Sequence, residues 1–174
     1  MSQNQESPTL SPIAAFGVLL GVIAVILGFL ALVVLLNITE VWAGFLFLLY
    51  WGGIHHLALK EYPAATIGSL FGLLLIYLAH NVGTILGLPD LSLPLFLSLI
   101  CTVVYLQILG KFPLVINLAA MLFLTVGTIP QLAELDILNI AKAVALSALY
   151  FGLLAAIGNT MMAHKASVKE AVKS

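Results

Sequence analysis

Long apolar runs separated by short polar turns occupy most of the 174 residues of this chain. The first run extends from Pro12 to Leu36 without a charged residue, and an α-helix needs about 20 such residues to cross the hydrocarbon core of a bilayer. Only 7% of the residues are charged, whereas soluble globular domains carry about 25%. The pattern therefore predicts an all-α integral membrane protein whose main partner is the lipid bilayer.

Turn residues divide the apolar sequence into six predicted transmembrane helices. Their expected ranges are 12–36, 41–57, 63–82, 91–109, 113–129 and 140–162. Together they form a predicted transmembrane domain over residues 12–163, between a disordered polar tail at 1–11 and a charged cytoplasmic tail at 164–174. No cleaved signal peptide is expected, because no Lys or Arg precedes the first run and that run is too long.

The positions of the lysines orient the predicted helices. With six spans, the two termini share one side of the membrane with the turns at residues 58–62 and 110–112. That side holds five of the six lysines, namely Lys60, Lys111, Lys165, Lys169 and Lys173. Lysine-rich loops face the cytoplasm under the positive-inside rule, so both termini are predicted to be cytoplasmic.

A strip of small residues marks the third predicted helix. Ala64, Gly68 and Gly72 follow one another at intervals of four residues, which places them on one face of an α-helix. Small residues at this spacing allow the backbones of two membrane helices to approach closely. The strip is predicted to be a helix-packing face, through which the chain forms a homo-oligomer.

Uncharged polar side chains inside the predicted spans are the candidates for lining a pore or cavity. They are His80, Asn81, Asn117, Asn159, Tyr50, Tyr77 and Tyr105. If these side chains converge, the lining is neutral and rich in hydrogen-bonding groups, which suits a small neutral solute. The alternative is that His80 lies at the membrane interface and that Asn117 and Asn159 form interhelical hydrogen bonds worth about 0.6–2 kcal/mol each.

His55 and His56 lie at the cytoplasmic end of the second predicted helix. Adjacent residues on a helix point about 100° apart, so these two rings are not expected to bind one metal ion together. One interpretation places them at the membrane interface near Lys60 and Glu61. The other makes them a pH-sensitive gate at the inner mouth of a solute path, because histidine titrates near neutral pH.

Several short motifs resemble a known family. They are Trp42-Ala43-Gly44-Phe45, the pair Gly52-Gly53, the small-residue third helix and Phe112-Pro113. Over residues 17–163 the chain is similar to the small bacterial inner-membrane proteins grouped as domain of unknown function 1097. The resemblance implies a multi-pass protein of the bacterial inner membrane, and it brings no established activity or site residue.

Other classes of function lack their sequence signatures. No Asp or Glu lies within a predicted span, which argues against a proton or sodium pump built on membrane carboxylates. The chain has no arginine, one cysteine (Cys101) and a net charge of −1, so no nucleic-acid surface or internal disulfide is expected. Without a phosphate-binding loop, a metal pattern or a nucleophile elbow, the chain is not predicted to be an enzyme or to need a cofactor.

Two functions remain. The first is a channel or transporter for a small neutral solute. The alternative is a membrane protein that transports nothing and serves as an assembly or stabilising partner for a larger complex, which it would contact helix to helix because its loops are short.

Overall fold

The computed structural model describes residues 11–88, 91–129 and 136–171, and all regular structure in these ranges is helical. The elements are α1 (Pro12–Leu35), α2 (Val41–Leu48) with its π-helical continuation (Leu49–Ile54), α3 (Tyr62–Ile85), α4 (Ser92–Ile108), α5 (Leu118–Gly127) and α6 (Ile137–Ala171). The predicted all-α class is confirmed. Helix α1 belongs to one compact unit, and the chain from Ile38 onward forms a second. Residues 1–10 of the predicted N-terminal tail and 172–174 of the C-terminal tail lie outside the described ranges.

Three helices are long and apolar enough to cross a membrane. They are Pro12–Leu35, Tyr62–Ile85 and the Ile137–His164 part of α6. The other apolar helices are shorter, namely Val41–Ile54, Leu93–Ile108 and Leu118–Gly127. Helix α5 has 10 residues, so at 1.5 Å per residue it extends over about 15 Å, half the thickness of a hydrocarbon core. The chain is therefore a helical membrane protein, and the count of six spans stays a prediction.

Several predicted helix boundaries differ from the observed ones. The second helix is α-helical only to Leu48 and then π-helical to Ile54. The fifth begins at Leu118, because residues 113–117 form turns in place of a first helical turn. The sixth continues to Ala171, through most of the segment predicted to be a tail. Apolar composition indicates that a segment is helical, but it does not determine where the helix begins or ends.

Helices α3 and α5 pack side by side and run in the same direction. A Cβ atom added to Gly72 would lie 2.6 Å from the carbonyl oxygen of Ala120 and 2.8 Å from the Cβ of Phe123. One turn further along both helices, Gly127 lies against the side chain of Ile76. Each glycine thus removes a Cβ at a point where the partner helix occupies the space, as in the close helix contacts of membrane proteins.

The strip of Ala64, Gly68 and Gly72 faces this contact. Gly68 and Gly72 are buried, and a Cβ at Gly68 would overlap the side chain of Asn117 at the start of α5. In the single chain the strip is therefore covered by α5, and a second copy of the protein would need another surface. Formation of a homo-oligomer stays a prediction.

Helices α2 and α6 form the second parallel pair of the unit that begins at Ile38. The buried Ser147 donates its hydroxyl hydrogen to the backbone carbonyl of Gly44, at 2.6 Å. Near the start of both helices, the Asn139 amide donates to the Thr39 hydroxyl at 3.1 Å. Helix α3 joins the two pairs, because it contacts α6 as well as α5, and it also contacts α4.

We predict that Gly72→Ala destabilises the protein by about 1–3 kcal/mol, the usual range for overpacking a tight contact. Gly17→Ala is the matched control, since it also places alanine in an apolar helix, and no atom of its own unit lies within 4 Å of the new Cβ. Because alanine favours helices over glycine by about 1 kcal/mol, the control is expected to be neutral or stabilising. Unfolding by sodium dodecyl sulfate in mixed micelles measures both variants, and equal effects would contradict the packing described.

Candidate functional site

Asn117 joins the start of α5 to the start of α3. Its backbone is extended (φ −144°, ψ −178°), and its side-chain oxygen accepts hydrogen bonds from the amides of Ala119 at 2.9 Å and Ala120 at 3.2 Å. This is an N-cap, which satisfies backbone donors that have no partner within the helix. The side-chain nitrogen of Asn117 donates to the carbonyl of Ala64 in α3, at 2.8 Å. Asn117 therefore forms the interhelical bond that the sequence allowed as its alternative role.

Tyr50 lies near the start of α5, and His55 contacts Tyr50. Tyr50 is in the π-helical segment, and its buried side chain faces the backbone amide of Ala119 in α5. The His55 Nε2 atom lies 3.1 Å from the Tyr50 hydroxyl, and the two rings meet edge to face at 5.2 Å. The wider turn of a π-helix, a feature that recurs at functional sites, carries Tyr50 into this position. Asn117, Tyr50 and His55 are called the Asn117 cluster below.

A strained turn connects the Asn117 cluster to α3. His56 and Leu57 both adopt left-handed backbone conformations, with φ values of 50° and 59°, which cost non-glycine residues about 1–2 kcal/mol each. The buried Trp51 holds the turn, because its indole N–H donates to the carbonyl of Ala58 at 3.0 Å. Its ring also packs edge to face against Tyr62, at 5.1 Å. The two residues predicted to form a gate therefore have different surroundings. His55 contacts Tyr50, whereas His56 is exposed in the turn.

A cleft of about 250 Å³ lies beside the C-terminal half of α3, where α5 has already ended. The described residues that line it are Ala79 and His80 of α3, Leu93 and Phe96 of α4, and Thr128 just after α5. We call it the His80 cleft.

The cleft follows from the different lengths of α3 and α5. Helix α3 has 24 residues and α5 has 10. Since α5 already reaches its last residue, Gly127, beside Ile76, no α5 residue is left to cover His80 one turn further along α3.

The remaining candidates for a pore lining do not join either region. Tyr77, Tyr105 and Asn159 are exposed, and Asn81 donates its side-chain amide to the Tyr77 carbonyl of its own helix, at 2.8 Å. The candidates therefore divide between the Asn117 cluster and the His80 cleft, and the others lie on outer helix surfaces. Among the described residues, no group of three or more His, Cys, Asp or Glu side chains could hold a metal ion.

Sequence reasoning missed Leu93, Phe96 and Thr128 as lining residues of the cleft. Leucine and phenylalanine are too common in membrane helices to indicate a cavity by themselves. A signal did exist for Thr128, which is a polar residue shortly before a proline and therefore near a helix end. The end of one helix beside a longer neighbour is a place where a cavity can form.

We predict that Asn117→Ala lowers the free energy of unfolding by about 1.5–3 kcal/mol. The loss combines an N-cap, worth about 1 kcal/mol, with an interhelical hydrogen bond worth about 0.6–1.7 kcal/mol. Asn159→Ala is the control, because Asn159 is exposed on α6 and surface substitutions usually change stability by less than about 0.5 kcal/mol. Equal unfolding midpoints for the two variants in mixed micelles would show that Asn117 does not join α3 to α5.

Comparisons with protein-family models, with curated proteins and with solved structures find no match for this chain. The resemblance to the domain of unknown function 1097 proteins stays a prediction from short motifs. The geometry of the Asn117 cluster and of the His80 cleft is therefore the basis for proposing a function.

Proposed function

We propose that this chain is a six-span protein of a bacterial inner membrane, with both termini cytoplasmic, that carries a small neutral solute across the bilayer. The His80 cleft is its outer binding site, and the Asn117 cluster closes the path at the cytoplasmic end. The observation that carries this proposal is the cleft of about 250 Å³ beside an otherwise tightly packed helix pair.

The parallel packing of α3 and α5 supports the six-span topology. Two neighbouring helices run in the same direction only if α4, which connects them, returns the chain to the side on which α3 began. The turns that precede α3 and α5 then share one side, and these turns hold Lys60 and Lys111. Lysines in short turns favour the cytoplasmic side of the membrane. The His80 cleft lies toward the opposite end of α3 and therefore belongs to the outer half of the protein.

The contact between α3 and α5 favours a carrier over an open channel. Between the Asn117 cluster and the His80 cleft, Gly72 meets the backbone of Ala120, and Gly127 meets Ile76. These contacts leave no room for a solute along this helix pair. A site open on one side and closed on the other is the arrangement of an alternating-access carrier, in which helix movements expose the site to each side in turn.

The Asn117 cluster has the features of a movable closure. A π-helix and two left-handed residues, His56 and Leu57, lie next to each other in the chain. Strained backbone segments of this kind concentrate at switch regions of proteins. The hydrogen bond between His55 and Tyr50 would open when the turn moves, which assigns the gate role to His55 and leaves His56 as a turn residue.

We predict that the purified protein in proteoliposomes releases at least one solute from a panel of uncharged alcohols, amides and small aromatics faster than empty vesicles do. In a Cys101→Ser background, Leu93→Cys places a thiol at the cleft. A bulky maleimide attached there in detergent, before reconstitution, is expected to reduce release to the level of empty vesicles, because the label fills the cleft.

Tyr105→Cys in the same background is the matched control. It lies on the same helix outside the cleft, and its side chain is 61% exposed, close to the 65% of Leu93. Labelled Tyr105→Cys is expected to keep its release rate. The proposal fails if no solute of the panel leaves faster than from empty vesicles, or if the label at Leu93→Cys has no effect on the rate.

A second candidate function, that of a membrane assembly partner, is favoured by a feature of α1. Gly17 and Gly21 lie four residues apart, and a Cβ added at either would find no atom of its own unit within 4 Å. They form a small-residue surface of the kind that membrane helices use to contact each other. An assembly partner is expected to release no solute in the vesicle experiment. That result separates it from the carrier.

A further inference from the structure

The chemistry of the His80 cleft selects the kind of molecule that fits it. The Nδ1 atom of His80 lies 2.9 Å from the carbonyl oxygen of Ile76. A carbonyl oxygen only accepts hydrogen bonds, so the proton of the neutral ring must be on Nδ1. The other nitrogen, Nε2, then carries a lone pair, and His80 offers the cleft an acceptor.

Thr128 offers a second acceptor. Its hydroxyl donates its only hydrogen to the carbonyl of Thr125, at 2.6 Å, and its backbone amide donates to the same oxygen at 3.2 Å. A hydroxyl that has used its hydrogen retains lone pairs, which only accept. Both polar side chains among the described lining residues therefore use their donor hydrogens on backbone carbonyls and offer the cleft only acceptors.

The rest of the described lining is apolar, namely Ala79, Leu93 and Phe96. A cavity of about 150 Å³ lined by apolar side chains is known to hold benzene. The His80 cleft differs from such a cavity because it is open, with His80, Leu93 and Thr128 exposed. Its volume of about 250 Å³ leaves room for one substituted aromatic ring. Phe96 can pack against such a ring edge to face or offset, the geometries that aromatic pairs prefer.

We propose that the His80 cleft binds small uncharged aromatic molecules that carry a single O–H or N–H donor, such as phenols, aromatic alcohols and indoles. The ring lies against Phe96 and Leu93, and the donor hydrogen points to Nε2 of His80. An uncharged molecule suits this lining, because none of its described residues except His80 can carry a charge. This inference rests on the proposed function, in which the same cleft is the outer site of the carrier.

The test uses para-fluorophenol and para-fluoroanisole. The two probes differ at one position, because the hydroxyl hydrogen of the phenol is replaced by a methyl group in the anisole. Fluorine NMR relaxation measures the binding of each probe to the full-length protein in lipid nanodiscs, and empty nanodiscs correct for partition into lipid. In weakly alkaline buffer, the phenol is expected to bind about tenfold more tightly than the anisole. One hydrogen bond worth about 1.4 kcal/mol gives this ratio.

His80→Phe is expected to remove the preference, so that both probes bind with similar affinity through the apolar lining. Tyr77→Phe is the control, because Tyr77 is on the same helix but does not line the cleft, and it is expected to retain the tenfold ratio. An unfolding midpoint close to that of the unsubstituted protein shows that His80→Phe is folded. Equal binding of the two probes to the unsubstituted protein, or a preference that survives His80→Phe, overturns the inference.

Vesicle release separates this inference from the proposed function. If the phenol binds preferentially but no solute is released, the ligand class stands and the carrier function fails. If solutes without a donor hydrogen are released as fast as phenols, the carrier function stands and the ligand class is wrong.

Discussion

The amide of Asn117 is the interaction on which the arrangement of α3 and α5 depends. Its oxygen caps α5, and its nitrogen reaches the carbonyl of Ala64. One uncharged side chain thus supplies both an acceptor and a donor in an apolar environment, where an unsatisfied polar group is costly. Because Asn117 starts α5 next to the first turn of α3, it also sets the register in which Gly72 and Gly127 allow close contact. In that register the contacts advance in the same order along both helices, so the two helices run in the same direction.

The same register produces the cleft. Since α5 starts at a fixed point along α3 and ends after 10 residues, its last turn lies beside Ile76 and cannot cover His80. Helix α4 approaches this region with Leu93 and Phe96, and Thr128 closes it from the end of α5. Tight packing in the N-terminal half of α3 and an open site in the C-terminal half therefore have one structural cause. This combination of a rigid helix pair and an accessible site is the basis of the proposed carrier function.

Much of the fold could be predicted from the sequence, because the bilayer imposes simple rules on length and polarity. Apolar runs predicted the helices, and the spacing of Gly68 and Gly72 predicted a packing face. The start of α5 was predicted too early, because residues 113–116 are apolar, and only the polar Asn117, an N-cap residue type, indicates that the helix begins after it. The π-helix after Leu48 and the left-handed residues His56 and Leu57 have no comparable sequence signal. His80 was identified as a candidate, but its cleft depends on where α5 ends, which is a property of two helices in contact.

Cysteine cross-linking of α3 to α5 in the membrane tests the central claim most directly. In the Cys101→Ser background, Ile76→Cys and Gly127→Cys place two thiols within reach, since a Cβ at Gly127 would lie 3.1 Å from Cγ2 of Ile76. A protease site inserted at Gly110 reports the bond, because cross-linked halves stay joined after cleavage. Parallel helices predict that this pair forms a disulfide under mild oxidation and that Ala64→Cys with Gly127→Cys does not. A disulfide in the second pair but not in the first would show that α3 and α5 are antiparallel, which would contradict the account.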